Sequence, residues 1–291
     1  ATTVMVVGFV NAGLMNLAQA LSVVLGANVG TTVTAQLIAF KIGALALPAI
    51  GIGVFLKMFT KNQKYKYASD VLIGFGILFL GLDIMKHSFI PLKQSAGFSD
   101  AFVSFSSNPV LAACAGAVLT LIVQSSSATI GITIALASTG LIDFYAASAL
   151  VLGENIGTTI TANLAAIGTN VTARRAAFGH LLINVLGVMY MLILLKYFVT
   201  FVDFMTPGDP TVIDPSGSND SIARHIANLH SLFNFINILV FLPLISVLVK
   251  ICEKLIPGKK ETYSRLVYLD DRLINTPSLA VPQAVNEVRR M

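Results

Sequence analysis

The first 37 residues of the chain recur later in the same chain. Residues 1–37 align without a gap to residues 128–164, with 15 identical positions among the 37. The identities include glycines, asparagines and threonines, so a shared apolar character does not explain them. The chain therefore contains a duplicated structural unit, and the two copies are expected to share one local structure.

The composition indicates that these copies fold in a lipid membrane rather than in water. The chain is 55% hydrophobic and 11% charged, with a mean hydropathy of +0.81, whereas soluble domains carry roughly 25% charged residues. Four apolar stretches approach or exceed the roughly 20 residues that span a bilayer. They are residues 37–59, 71–90, 176–202 and 229–249. The sequence therefore predicts an all-α polytopic membrane protein.

The distribution of charge predicts the topology, because basic loops stay in the cytoplasm. Three basic segments are placed there: Lys57, Lys61, Lys64 and Lys66; Arg174 and Arg175; and Lys250, Lys254, Lys259 and Lys260. The loop 203–220, with four aspartates and no basic residue, is placed outside. Three crossings are counted between the copies, namely a broken helix over 16–38 and spans at about 43–58 and 70–90. An odd number predicts an inverted-topology repeat, as in secondary transporters.

A polar run, Gln124 to Ser127, lies between two short apolar pieces at 110–123 and 128–136. Neither piece spans a bilayer alone, so together they predict a re-entrant hairpin bent at the polar run. Serines placed just before a helix leave N–H groups pointing at the bend, where the helix dipole also favours an anion. Each unit is thus predicted to be a re-entrant helical hairpin plus a broken transmembrane helix.

Both copies carry the pattern Gly-x-Asn-x-Gly-Thr-Thr inside an apolar segment. Its members are Gly26, Asn28, Gly30, Thr31 and Thr32, and Gly153, Asn155, Gly157, Thr158 and Thr159. Unwound backbone with Asn and Thr oxygens suits a desolvated Na⁺, although small residues also permit close helix packing. The symmetric recurrence favours the ion site. Glu154, with Ala27 at the equivalent position, is a candidate for binding a cation, carrying a proton or pairing with nearby backbone.

Two further helical patterns, His180-x-x-x-Asn184 and His230-x-x-x-Asn234, place polar groups on one helix face. Hydrogen bonding between helices is favoured over substrate contact for them. The sequence shows no nucleophile–base pair, metal cluster or phosphate-cradling P-loop, so an enzyme is not predicted.

The polar run QSSSAT at 124–129, followed by G-x-N-x-G-T-T, resembles the type II sodium–phosphate cotransporters and their bacterial relatives. The resemblance covers residues 1–250. It implies that phosphate is bound by Gln124, Ser125, Ser126, Ser127, Ala128, Thr129, Thr2 and Thr3. It implies Na⁺ ligands among Asn28, Gly30, Thr31, Thr32, Gln124, Ser127, Glu154, Asn155, Gly157, Thr158 and Thr159. A similar polar run is expected ahead of Ala1.

The resulting expectation is a secondary active transporter that couples Na⁺ to the movement of inorganic phosphate by alternating access. Neither an organic cofactor nor a transition metal is expected. The alternatives are a phosphate exporter, a transporter of another small anion, and a phosphate-sensing membrane scaffold, which has no need of duplicated broken helices. Expected partners are phosphate, Na⁺ and the lipid bilayer, with a homodimer left open. Nucleic acid is not expected, because the basic residues lie at loop ends. The expected location is the bacterial inner (plasma) membrane, multi-pass, with a cytoplasmic C-terminus.

Five segments are predicted along the chain. Residues 1–60 form the first inverted repeat without its N-terminal part, and 61–106 form a linker loop and a transmembrane helix. Residues 107–204 form the second inverted repeat, 205–252 the acidic external loop and final transmembrane helix, and 253–291 a cytoplasmic tail. The tail has helix-like patterning after Pro277 and resembles the start of a PhoU-like domain. A solvated extension is the alternative.

Overall fold

The structure is a computed structural model that describes residues 2–40, 45–89, 108–212, 219–258, 268 and 277–290. Lys259, Lys260 and residues 213–218 of the loop 203–220, which the topology prediction uses, lie outside these residues. Within the described part all regular secondary structure is helical, which agrees with the predicted class. The chain divides into two units, residues 1–254 and 255–291.

The first unit consists of twelve helices within the described ranges. They are α1 (Thr2–Asn11), α2 (Leu17–Ala39), α3 (Ala46–Phe59), α4 (Gln63–Phe89), α5 (Pro109–Val123), α6 (Ser126–Ser138), α7 (Phe144–Gly157), α8 (Ile160–Ala165), α9 (Val171–Ile193), α10 (Leu195–Met205), α11 (Asp220–Phe241) and α12 (Ile245–Leu255). In the second unit, α13 (Pro277–Arg290) forms where helix-like patterning was predicted.

Three of the described helices are long and apolar enough to cross a membrane: Leu17–Ala39, Gln63–Met85 and Val171–Ile193. A fourth candidate is the pair α11–α12, whose axes are bent by 83°. The apolar stretch 229–249 is therefore not the single straight helix that was predicted. Pro243 lies at the bend, and a proline has no N–H to continue the helical hydrogen bonds.

The duplicated sequence has a duplicated local structure. In each copy a helix ends in a turn whose glycine has a left-handed backbone, Gly13 at φ 73° and Gly140 at φ 72°. The next helix then begins at an equivalent capping residue, Asn16 or Asp143, whose side chain accepts a hydrogen bond from the backbone three residues on. The helix–turn–helix repeat is thus present in both copies. Their opposite orientation in the membrane stays a prediction.

The copies differ at the Gly-x-Asn-x-Gly-Thr-Thr pattern. The second copy is interrupted between α7 and α8 at Thr158 and Thr159, as predicted. The first copy forms one continuous helix, α2, so the predicted break over 16–38 is wrong. Glycines allow a break but do not impose one, and here the surroundings of the two helices differ, as discussed below.

The described side chains form two apolar cores. Side chains of α1 and the first half of α2 pack with α8, α9 and α12, around Leu21 and Leu25. Side chains of α6 and α7 pack with α4, α10 and α11, around Ile130 and Phe233. The second half of α2 contributes Ala35 and Ile38 to this second core. Helix α2 therefore connects the two halves.

Candidate functional site

The helices α5 and α6 form the predicted hairpin, with the polar run at its tip. Gln124 adopts a left-handed backbone, at φ 58°, which is uncommon for a residue with a side chain. Ser125 caps α6, since its hydroxyl accepts a hydrogen bond from the Ala128 N–H at 3.4 Å. The arms are tied together below the tip by a 3.0 Å hydrogen bond between the hydroxyls of Thr120 and Thr129.

The tip faces a cavity of about 270 Å³ to which both copies of the repeat contribute. Four of the predicted site residues in this lining belong to the first copy: Thr2, Thr3, Asn28 and Thr31. Six belong to the second copy and its hairpin: Gln124, Ser125, Ser126, Ser127, Asn155 and Thr158. Ten predicted site residues, far apart in the sequence, are thus brought to one space.

Three lining residues were not predicted as site residues: Ala27, Thr161 and His180. Ala27 and Thr161 lie within one helical turn of predicted residues, and this spacing was the available signal. His180 belongs to the recurring His-x-x-x-Asn pattern, for which an interhelical role was favoured. In the structure His180 makes an interhelical contact, because its Nε2 lies 3.2 Å from the Asn28 Oδ1. Its ring also lines the cavity.

The lining is polar without being charged. Within the described part of the chain it contains no lysine, arginine, aspartate or glutamate. Its polar groups are hydroxyls, amides and one imidazole, together with the N-terminal end of α6, where backbone N–H groups have no intrahelical partner. Such a lining can hold an anion by donated hydrogen bonds, and its oxygens can hold a cation.

The hydroxyl groups of this cavity fall into two sets. Thr31 and Thr158 donate their protons to the backbone carbonyls of Asn28 and Asn155, at 2.6 and 2.7 Å, so their oxygen lone pairs stay available to a cation. The hydroxyls of Ser126 and Ser127 line the same cavity, and a serine hydroxyl can donate its proton to an anion.

The two asparagines at equivalent positions are held by equivalent motifs. The Asn28 side chain donates a hydrogen bond from its Nδ2 to the Asn184 Oδ1, at 3.3 Å. Asn155 accepts from the Nδ2 of Asn234 at 3.4 Å. Asn184 and Asn234 each donate to the carbonyl of the histidine four residues earlier, at 2.9 Å. The interhelical role predicted for this pattern matches these contacts.

Seven predicted site residues do not line the cavity: Ala128, Thr129, Gly30, Thr32, Glu154, Gly157 and Thr159. Thr129 is buried in the hairpin against Thr120, and Gly157 faces the backbone of α5. Glu154 is fully buried, and its Oε1 accepts a 2.6 Å hydrogen bond from the Thr133 hydroxyl. Adjacent positions on a helix point in different directions, so a contiguous sequence motif cannot line one space completely.

Thr32 lines a second cavity instead, of about 420 Å³. Its other lining residues are Val29, Val202, Met205, Thr206, Asn228, Ser231, Leu232 and Phe235. Asn28 and Thr31 face the first cavity while Val29 and Thr32 face the second, so α2 is a wall common to both. Gln36 of α2 is linked to two residues of this second lining, because its Nε2 donates to Asn228 and Ser231 at 3.1 and 2.9 Å.

Comparisons with known proteins show what the chain is similar to. A family model described as Na⁺/Pi-cotransporter matches residues 1–87 and 93–203. The Bacillus subtilis protein YqeW is 34% identical over 256 residues, which cover 88% of this chain and 79% of YqeW. No solved structure shows a significant match.

Two further relatives carry names that refer to phosphate. The putative inorganic phosphate export protein YjbB of Escherichia coli is 31% identical over 293 residues, 100% of this chain and 52% of YjbB. The chain therefore spans about half the length of that relative. The human sodium-dependent phosphate transport protein 2B is 35% identical over 130 residues, 42% of this chain and 19% of that protein.

Proposed function

The chain belongs to the Na⁺/Pi-cotransporter family, and from this premise we propose that it couples Na⁺ to the movement of inorganic phosphate across the membrane. The transport is by alternating access between two inverted repeats. Phosphate binds at the hairpin tip, and Na⁺ binds at the asparagine–threonine segments of both copies. The relatives named for phosphate export and for sodium-dependent phosphate transport support the substrate and the ion, respectively.

One observation carries this proposal, the uncharged cavity at which the two copies meet. Phosphate carries between one and two negative charges at neutral pH, and burying it without compensation is costly. The hydroxyls of Ser126 and Ser127 and the N–H groups at the start of α6 are hydrogen-bond donors that replace its water. No fixed cation among the described lining residues balances its charge.

Bound Na⁺ supplies the missing positive charge. The oxygens of Thr31 and Thr158, whose protons are already donated to the backbone, are suited to coordinate it. The amide oxygens of Asn28 and Asn155 line the same space. Phosphate affinity should therefore rise with Na⁺ concentration, and by thermodynamic linkage Na⁺ affinity should rise with phosphate by the same factor.

The decisive experiment is phosphate uptake and binding with purified protein. Proteoliposomes are given labelled phosphate with a Na⁺ gradient or with choline, and phosphate binding is measured by calorimetry under both conditions. We expect phosphate uptake and tight phosphate binding in the presence of Na⁺, and neither of them in choline. Phosphate binding of equal affinity in Na⁺ and choline would contradict the coupling.

The same assay tests the serine donors. Ser126→Ala should weaken phosphate binding by about 1–3 kcal/mol, the typical loss of a hydrogen bond to a charged group. Ser88→Ala is a matched control, because this exposed hydroxyl donates only to the Ile84 carbonyl within α4. An unchanged phosphate affinity in Ser126→Ala would remove the hairpin tip from the site.

A second candidate is phosphate export by the same site, and the name of YjbB favours it. The two candidates share the cavity and differ in the direction of net flux under cellular gradients. Overproduction of the chain in phosphate-loaded cells separates them. Accelerated loss of internal phosphate indicates export, and accelerated accumulation indicates import.

A further inference from the structure

The second cavity has no role in the proposed function, and its lining differs from that of the first. Its volume of about 420 Å³ lies within the range of about 300–1,000 Å³ that is typical of small-molecule sites. Five of its nine described lining residues are apolar, and none of the nine is charged. The walls are provided by α2, by α10 with the residue that follows it, and by α11.

The cavity opens onto an apolar surface of the protein. Two of its lining residues, Met205 of α10 and Phe235 of α11, are 59% and 53% exposed. The surface beside them is also apolar, with Phe201 and Phe204 exposed on α10 and Leu239 exposed on α11. Helix α11 forms a candidate membrane span together with α12. An exposed apolar surface on such a span faces lipid, so the opening is bordered by acyl chains of the bilayer.

Each of the four polar side chains in the lining already has a hydrogen-bond partner within the protein. The Asn228 Nδ2 donates to the Thr206 hydroxyl at 2.9 Å, and the Asn228 Oδ1 accepts the hydrogen bond from Gln36. The hydroxyls of Ser231 and Thr32 donate to backbone carbonyls of their own helices, at 2.9 and 2.7 Å. Buried water needs about two to four polar partners, whereas apolar cavities stay dry and take up apolar molecules. The lining therefore favours an apolar occupant over water.

We propose that the second cavity binds one acyl chain of a membrane phospholipid, which enters between α10 and α11. Met205 and Phe235 form the entrance, and Val29, Val202 and Leu232 line the interior. The lipid around the protein is as apolar as this lining, so transfer of the chain from lipid adds little free energy. The stabilisation comes from dispersion contacts, because side chains around a void have no contact partners on that side.

The bound chain lies behind the wall of the first cavity. On α2, Asn28 and Thr31 face the first cavity, and Val29 faces the second. Movement of α2 toward α10 and α11 therefore requires the chain to leave or to shift. This consequence for transport rests on the proposed function, whereas the binding of the chain does not.

Fluorescence quenching tests the occupant directly, because the chain contains no tryptophan and a single introduced one reports its own surroundings. Leu232→Trp places the probe in the cavity. Phe204→Trp places it on the lipid-facing surface, at a site that is 87% exposed, and Phe198→Trp places it in the apolar core. The full chain is reconstituted in phosphatidylcholine liposomes with brominated acyl chains, since bromine quenches tryptophan on contact.

The loss of fluorescence in brominated lipid should be as large for Leu232→Trp as for Phe204→Trp, and larger than for Phe198→Trp. Aqueous iodide should leave Leu232→Trp unquenched. Quenching of Leu232→Trp by iodide would show a water-filled cavity. A loss in brominated lipid no larger than that of Phe198→Trp would show that another part of the protein fills the space. Either result would overturn the proposal.

Photolabelling of the wild-type protein keeps the test decisive if Leu232→Trp does not fold. A phosphatidylcholine that carries a photoreactive diazirine on its acyl chain is added to the liposomes, and the labelled residues are mapped by mass spectrometry. The proposal expects label on Val29 or Leu232, which line the cavity, in addition to the exposed Phe204 and Leu239. Label confined to the exposed residues would contradict it.

Phosphate exchange in liposomes of different acyl chains tests the consequence. Methyl-branched chains are bulkier than straight ones, so exchange by the wild type should change when straight chains are replaced by branched ones. Met205→Trp obstructs the entrance and should reduce this dependence, whereas Phe204→Trp, outside the lining, should retain it. Equal dependence in all three samples would exclude a role of the bound chain in transport. Absence of exchange from every sample would reject the proposed function and leave the quenching and labelling results valid.

Discussion

The two copies of the repeat have one local structure but different neighbours. In the second copy the glycines of α7 lie against the backbone of α5, and a Cβ added at Gly153 would overlap the carbonyl oxygen of Ala113. In the first copy the space around Gly26 and Gly30 is open within 4 Å of an added Cβ. The interrupted helix is the closely packed one, and the continuous helix is the open one. The helix is therefore interrupted in the copy whose glycines contact another helix, although both copies carry the motif.

The copies also differ in their chemistry. Where the first has Ala27, which lines the cavity, the second has Glu154, which is buried against the hairpin. Asn28 is contacted by both His180 and Asn184, whereas Asn155 is contacted by Asn234 and uses its own Nδ2 on the Val151 carbonyl, at 2.7 Å. Equivalent residues of the two copies thus make different contacts.

The largest expected effect concerns the orientation of the copies. Leu14 and Leu141 occupy equivalent turns, 127 residues apart. Inverted topology places them on opposite sides of the membrane. Single cysteines at these positions, in a background with Cys114 and Cys252 replaced by serine, should react with an impermeant reagent from opposite sides. Labelling of both from one side would make the repeat parallel.

The next effect separates packed from open glycines. Gly153→Ala should destabilise the protein by about 1–3 kcal/mol or more, because the backbone of α5 must shift. Gly26→Ala should be neutral or stabilising by up to about 1 kcal/mol, since alanine is the better helix former. Thermal unfolding of the two variants in detergent measures the difference. Equal destabilisation would show that Gly26 is also packed in the native protein.

The asparagines test whether the halves share the coupling ion. Asn155→Ala and Asn28→Ala should each shift the Na⁺ concentration that half-activates phosphate uptake, by roughly 1–3 kcal/mol if one ligand to a charge is lost. The shift should be larger for Asn28→Ala, because His180 and Asn184 then lose their partner as well. Asn62→Ala, on an exposed residue outside the repeats, is the control. Unchanged Na⁺ activation in both would assign the asparagines to packing.

The smallest expected effect concerns the helix caps. Asn16→Ala and Asp143→Ala should each cost about 1 kcal/mol of unfolding free energy, the usual value of an N-cap. The two losses should be similar, because each substitution removes one side-chain acceptor, and the hydrogen bond from the Asn16 backbone N–H to Gln19, at 3.0 Å, remains in Asn16→Ala. Denaturation midpoints of the two variants provide the comparison. A much larger loss at either position would indicate a contact beyond the cap.

The sequence was sufficient to predict the local features and insufficient for the tertiary ones. The hairpin at Gln124 to Ser127 followed from segment lengths, because pieces too short to span must turn back. The prediction of one straight span over 229–249 was wrong, because hydropathy indicates the length of an apolar segment and not a bend within it. Pro243, which lies inside this segment, was the available signal for the bend. The break predicted in α2 was wrong, because the glycines of the motif do not show which helices pack against them in the folded chain.

The sequence predicted most of the residues that line the first cavity, but not which members of the repeated motif face it. The repeated motif gave Asn28, Thr31, Asn155 and Thr158, but it could not separate them from Thr32 and Thr159, which point elsewhere. The direction of a side chain depends on how the helix is rotated in the bundle, and packing with distant helices sets that rotation. His180 enters the cavity from α9 for this reason, and one sequence cannot reveal such an approach.

The shared wall formed by α2 has a mechanical consequence. Because a single helix separates the two chambers at the level of residues 28–32, any sideways displacement that widens one chamber must narrow the other. A sideways displacement of α2 alone should therefore change the two cavity volumes in opposite senses. At residues 28–32 the barrier between the two cavities is one helix thick.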